Sequence, residues 1–169
     1  MDCIFIIGGA KSGKSRYALS IGNKFKDKKK VFIATAQPID PEMEEKIRRH
    51  REERGKDWIT IEEPLNISDR IKELSNKDVL ILIDCLTLWL NNLLIHNLDP
   101  KREIENLVKS MSSFEGMLIV VSNEVGMGIV PQDELTRRYR DLLGYLNQEI
   151  SHLSNKVIFM MAGIPIQIK

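Results

Sequence analysis

The sequence predicts an α/β fold in which a mostly parallel central sheet carries helices on both faces. Three observations lead there. The runs from Val79 to Ile83 and from Met117 to Val121 contain no polar alternation, as expected of strands covered on both faces. Helix-prone stretches separate the apolar runs, which is the order a parallel sheet needs. The turn after the first apolar run is glycine-rich and lies between a strand and a helix.

In chain order, Cys3 to Ile7 reads as a buried strand, and the helix after its turn runs from about Lys14 to Phe25. Val31 to Thr35 is the second strand. Pro41 to Arg54 is charged and helix-prone, with Met43 and Ile47 four apart on one face. Trp58 to Ile61 alternates like a strand, and Ile67 to Leu74 reads as a short helix. Val79 to Ile83 is a central strand, followed by helices from Leu86 to Ile95 and from Pro100 to Met111. Met117 to Val121 is a strand and Gln132 to Leu153 a long helix. Val157 to Met161 and Ile164 to Ile168 close the chain as strands. The run from Lys26 to Lys30 reads as a solvated turn rather than a polyanion site.

The 169 residues suit one domain spanning 1–169. Hydrophobic residues make up 43% and charged residues 29%, which argues for a soluble globular chain and against disorder. Lysine and arginine total 25 against 24 acidic residues, a balance that argues against a nucleic-acid protein whose affinity comes from a basic field, though a local patch could survive inside it. Cys3 and Cys85 both sit in apolar runs and read as reduced core thiols. No apolar stretch is long enough to span a membrane. The first residues also lack a basic n-region and a long h-region, so a cytoplasmic location is expected.

In parallel sheets ligands bind at the carboxyl ends of the strands. The first such turn is Gly8-Gly9-Ala10-Lys11-Ser12-Gly13-Lys14-Ser15, which matches G-x-x-x-x-G-K-S. Its glycines let backbone N–H groups turn towards phosphate oxygens, aided by the positive end of the next helix. Lys14 would reach the β and γ phosphates, and the Ser15 hydroxyl would bind Mg²⁺. A Gly-rich turn that binds nothing is the bland alternative, and the complete motif disfavours it. Asp84 ends a buried strand, where a second Mg²⁺ carboxylate belongs. It could instead cap the helix beginning at Leu86; metal or nucleotide duty is the preferred reading. Asn76-Lys77-Asp78 is one residue short of a guanine-reading N-K-x-D and precedes a strand, which argues against a GTPase switch. A small-molecule kinase or nucleotidyltransferase fits the size best.

Of the three histidines, His96 and His152 read as structural or solvated. His50 lies among Arg48, Arg49, Arg51 and Arg54, where positive neighbours keep an imidazole neutral and nucleophilic. From spacing alone a solvated helix face is the simpler reading of this stretch.

The chain resembles the bifunctional adenosylcobinamide kinase/adenosylcobinamide-phosphate guanylyltransferase family over essentially its whole length. The resemblance rests on several stretches in order. They are the phosphate loop, Ile33-Ala34-Thr35-Ala36, Asp40-Pro41-Glu42-Met43 leading to His50-Arg51, and Trp58 with Glu62-Glu63-Pro64. Then come Asp84-Cys85-Leu86-Thr87-Leu88-Trp89, Ser122-Asn123-Glu124-Val125-Gly126 with Gly128-Ile129-Val130-Pro131, and Arg140-Asp141 with Gly144 and Asn147-Gln148. The Ser-Asn-Glu-Val-Gly stretch is far more specific than the loop.

The resemblance implies a RecA-like P-loop NTPase fold and two reactions. ATP or GTP phosphorylates adenosylcobinamide, and GMP from GTP is then transferred to that phosphate through a guanylylated histidine, matched by His50. It further implies nucleotide contacts at Gly8 to Ser15, at Ala34, Thr35 and Ala36, at Arg51, Glu52, Glu53 and Arg54, and at Glu62 and Asp84. It also implies a homo-oligomer, a trimer. Lys11 stands where the family usually has arginine, keeping the charge but losing the planar fork. Leu19 replaces a common glutamate, and the chain is shorter than some relatives near Asn97 to Pro100. Two alternatives remain, a kinase without guanylyl transfer and a non-catalytic nucleotide-binding regulator.

Overall fold

A computed structural model describes residues 2–38, 44–45, 48, 51–52 and 54–169. Its strands are β1 (Asp2–Gly8), β2 (Lys29–Ala34), β3 (Trp58–Glu62), β4 (Val79–Asp84), β5 (Met117–Asn123), β6 (Lys156–Met161) and β7 (Ile164–Gln167). Its helices are α1 (Lys14–Gly22), α2 (Ile67–Glu73), α3 (Leu86–Ile95), α4 (Pro100–Ser113) and α5 (Glu134–Leu153). The sheet runs β3-β2-β4-β5-β1-β6-β7. Every neighbouring pair is parallel except β6 with β7. The β1 strand, which leads into the glycine-rich turn, is thus internal, and β5 separates it from β4.

The two faces of the sheet are covered unequally among the described elements. Cys3, Phe5, Ile81, Ile83, Leu118 and Val120 point into a core shared with α2, α3, α4 and α5. The alternate residues Ile6, Phe32, Leu80, Leu82, Ile119 and Val121 meet Ala18 and Leu19 of α1, and Trp58. Side chains alternate along a strand, so these two apolar sets account for the unbroken hydrophobic runs.

Several boundaries differ from expectation, with local causes. Helix α1 stops at Gly22 rather than near Phe25. A Cβ at Gly22 would stand 2.6 Å from the Trp58 ring, so close helix–sheet packing requires the glycine there. The lysine run is not wholly a turn, because Lys29 and Lys30 begin β2 and Lys30 is buried. Helix α4 is capped by Asp99, whose carboxylate accepts from the Lys101 N–H at 3.1 Å, with Pro100 at its first position. Between 44 and 54, the described residues Glu44, Glu45, Arg48, Arg51, Glu52 and Arg54 are helical. The expectations for Met43, Ile47, His50 and Glu53 lie outside the described residues.

Candidate active site

Strand parity decides which side chains meet at the carboxyl edge. Counting on from Val121 puts Asn123 on the α1 face; Asp84 follows Leu80 and Leu82, Gly8 follows Ile6, and Ala34 follows Phe32. The register aligns Ala34 with Asp84 and Asp84 with Val121, while Asn123 aligns with Gly8. Two strand spacings, roughly 10 Å, separate Asp84 from the loop after β1, leaving room between them for phosphate groups.

The loop is held in a turned-in conformation. Ser12 N donates to Gly9 O at 3.3 Å, and the buried Lys14 folds back to donate from Nζ to Gly9 O at 2.5 Å. A Cβ at Gly8 would lie 2.3 Å from the Met160 carbonyl oxygen, so the approach of β6 admits only glycine. Gly13 has φ 96, a conformation that glycine adopts readily, and it is the N-cap of α1 without a side-chain cap. The first-turn N–H groups are therefore offered to an anion, together with the positive helix end. The β6–β7 turn backs the loop through Gly163 N donating to Ser12 O at 3.0 Å.

Across the gap, Asp84 stands one residue outside α3, whose N-cap is Cys85. The pure helix-cap reading therefore loses its geometric basis. Burial raises the Cys85 thiol to about 11, with Asp84 adding to the shift and Lys14 opposing it, so Cys85 senses both loop lysine and carboxylate. Arg54 is buried, with its guanidinium 3.8 Å from the Phe32 ring centre, and Nη1 donates to Thr60 Oγ1 at 3.0 Å. Burial holds its pKa below the ordinary arginine value, while the charge of Asp84 works against that fall. Arg51 forms an ion pair with Glu62, so both are brought together at the end of β3.

Other expected residues have different surroundings. The Thr35 side chain is fully buried, donating to Cys85 O at 2.8 Å and accepting from Cys85 N at 2.9 Å. Its hydroxyl therefore clamps the turn after Asp84, leaving Ala34 and Ala36 as the residues beside it. Glu52 is exposed and pairs with Arg48, which also pairs with Glu45. His96 caps the end of α3 and His152 lies in the last turn of α5.

Sequence reasoning did not resolve a polar cluster behind the end of β5. Thr87 Oγ1 accepts from Asn123 N at 2.7 Å, and Asn147 Nδ2 donates to Asn123 O at 3.1 Å. Tyr139 Oη donates to Thr87 O at 2.9 Å. The available signal was a polar Ser122-Asn123 pair ending an apolar strand.

The chain matches the family described as cobinamide kinase/cobinamide phosphate guanyltransferase over residues 4–168. It belongs to that family. One similar relative within the cobinamide kinase/guanyltransferase family is the bifunctional adenosylcobalamin biosynthesis protein CobP of Pseudomonas aeruginosa. It is 42% identical over 167 aligned positions, which cover 97% of this chain and 95% of the relative. The corresponding protein CobU of Escherichia coli is 34% identical over 182 aligned positions, gaps included, covering 98% of this chain and 99% of that one. More distant solved structures share the fold alone. A type III secretion system ATPase superposes with a TM-score of 0.53 at 12% identity, over 94% of this chain and 50% of that one. A second solved ATPase domain gives 0.50 at 13% identity, over 94% and 68%. These neighbours and the strand order make the fold of this cobinamide kinase/guanyltransferase family member a RecA-like P-loop fold.

Proposed function

We propose that this chain, acting as one nucleotide-binding unit, phosphorylates adenosylcobinamide with ATP or GTP and then transfers GMP from GTP to the new phosphate. The observation that carries the reading is the family match over residues 4–168 in a chain whose phosphate loop is complete.

In the first reaction the aminopropanol oxygen attacks the γ-phosphorus, loses its proton, and the nucleoside diphosphate leaves. The N–H groups of the loop and Lys14 favour that step by meeting the charge on the phosphates. In the second, a ring nitrogen of His50 attacks the α-phosphorus of GTP and pyrophosphate leaves. A phosphate oxygen of adenosylcobinamide phosphate then displaces the imidazole, giving adenosylcobinamide-GDP. Arg51 and Arg54 offset negative charge in both halves, and Ala34, Ala36, Glu53 and Glu62 complete the nucleotide surroundings, with Thr35 behind them holding the turn after Asp84.

Ser15 and Asp84 offer the oxygen donors that Mg²⁺ takes, and among the described residues no group of three or more His, Cys, Asp or Glu forms a metal cage. That donor set fits a Mg²⁺ completed by substrate phosphates, where it would supply charge neutralisation.

The chain also acts as a homo-oligomer, a trimer, in this reading. Support comes from exposed apolar residues after β5, with Met127 78% and Ile129 97% exposed. Among the described residues no helix is long and apolar enough to cross a membrane.

The deciding experiment is incubation with Mg²⁺ and GTP radiolabelled at the α-phosphate. Acid-labile, base-stable label on the protein, lost in His50→Ala while cobinamide phosphorylation persists, is the expected result. Phosphorylation without any protein label would leave the chain a kinase only.

A further inference from the structure

The strand between the phosphate loop and Asp84 ends in a side chain for which the proposed chemistry has given no task. Asn123 terminates β5, aligned with Gly8 on one side and two residues beyond Val121, the partner of Asp84. Parity turns it to the α1 face, where the loop, Lys14 and Asp84 lie. Its backbone is fastened from behind on both polar atoms: the N–H by Thr87 Oγ1 at 2.7 Å and the carbonyl by Asn147 Nδ2 at 3.1 Å. Its side-chain amide, half-buried, bonds to no described residue.

The clamp is built at a cost. Asn147 is buried and its Oδ1 has no hydrogen-bond partner, so the residue contributes one bond and leaves an acceptor unsatisfied. Thr87 is likewise buried, and its own carbonyl accepts from Tyr139 Oη at 2.9 Å, which ties the clamp to α5. Two helices, α3 and α5, thus hold one amide between the loop and the carboxylate.

We propose that Asn123 contacts the terminal phosphoryl group of a bound nucleoside triphosphate, with Thr87 and Asn147 as the residues that position it. The inference rests on the nucleotide-site reading above and is independent of the cobinamide substrate. An amide supplies two N–H donors without charge, so it binds a phosphoryl oxygen without repelling it, as a carboxylate there would. The contact exists only while the γ-phosphate is present, so the residue distinguishes triphosphate from diphosphate.

The test is calorimetric binding of GDP and of the non-hydrolysable β,γ-imido analogue of GTP, with Mg²⁺, to the full chain. Asn123→Ala should weaken the triphosphate analogue by about tenfold or more, the scale of a lost hydrogen bond to a charged group, and change GDP by less than about twofold. Asn123→Asp should weaken the analogue further through like-charge repulsion. Thr87→Val should reproduce part of the loss and lower kcat for phosphoryl transfer at unchanged KM for cobinamide, with Thr87→Ser restoring both. An unchanged preference for the analogue in Asn123→Ala, or equal loss of both nucleotides, overturns the assignment alone. Failure of the unaltered protein to bind either nucleotide overturns the nucleotide-site reading with it.

Discussion

Replacing Thr35 by valine keeps the side chain's shape and removes its hydroxyl. In the folded protein that hydroxyl is fully buried and makes two bonds to one residue, to Cys85 O at 2.8 Å and from Cys85 N at 2.9 Å. The two losses are unequal. Cys85 O also accepts from Trp89 N at 3.2 Å, so it stays paired, whereas Cys85 N loses the partner it has. An orphaned buried donor costs about 1–3 kcal/mol and an ordinary lost bond about 0.5–1.5, so the total is about 2–4 kcal/mol. A chain of this size loses roughly 2–4 °C of Tm per kcal/mol, so the expected fall is about 5–15 °C. Thr35→Ser keeps both bonds and loses one methyl, which costs about 1 kcal/mol. Thermal unfolding by circular dichroism of the three proteins, paired with GTP titration at a temperature where all are folded, separates the roles. Thr35→Val at wild-type Tm but with weakened GTP binding would refute the clamp and make the hydroxyl a nucleotide ligand. Equal destabilisation of valine and serine variants would also refute it, since the methyl rather than the hydroxyl would then matter.

Lys14→Ala should remove both phosphoryl and guanylyl transfer in product assays, because the same loop binds the triphosphate in each; full guanylyl transfer would separate the two sites. Asp84→Asn should lower kcat with partial recovery at raised Mg²⁺ and a nearly unchanged Tm, whereas a collapsed Tm without recovery would make the carboxylate structural. Burial lifts Cys3 and Cys85 from 9.0 to about 11, and lifts the Tyr139 phenol above its usual range. The two thiols stay neutral in the fold while their unfolded counterparts ionise, so their stabilising effect is complete below about pH 9 and is lost as pH rises through 11, with the Tyr139 contribution lost only at still higher pH. Tm measured from pH 8 to 11 should fall less steeply in Cys85→Ala than in the unaltered chain.

The phosphate loop was legible from the sequence because its eight residues are contiguous and chain-local: two strained or crowded glycines, a lysine and a hydroxyl, between a strand and a helix. The α/β class was legible too, since a strand buried on both faces must be apolar throughout. Asp84 could be singled out by its place at the end of such a strand, but not its partners. Those depend on strand order, and the crossovers place β5 between β1 and β4, so that residues over a hundred positions apart, Gly8 and Asn123, become neighbours. The same arrangement sets Arg54 against Phe32 within the field of Asp84 and commits the Thr35 hydroxyl to Cys85. A sequence states which chemical groups are available; only the packed sheet decides which donor meets which acceptor. The physical reason is that burial presses most polar atoms near the site to find a partner, and that partner is chosen by distance in space rather than along the chain.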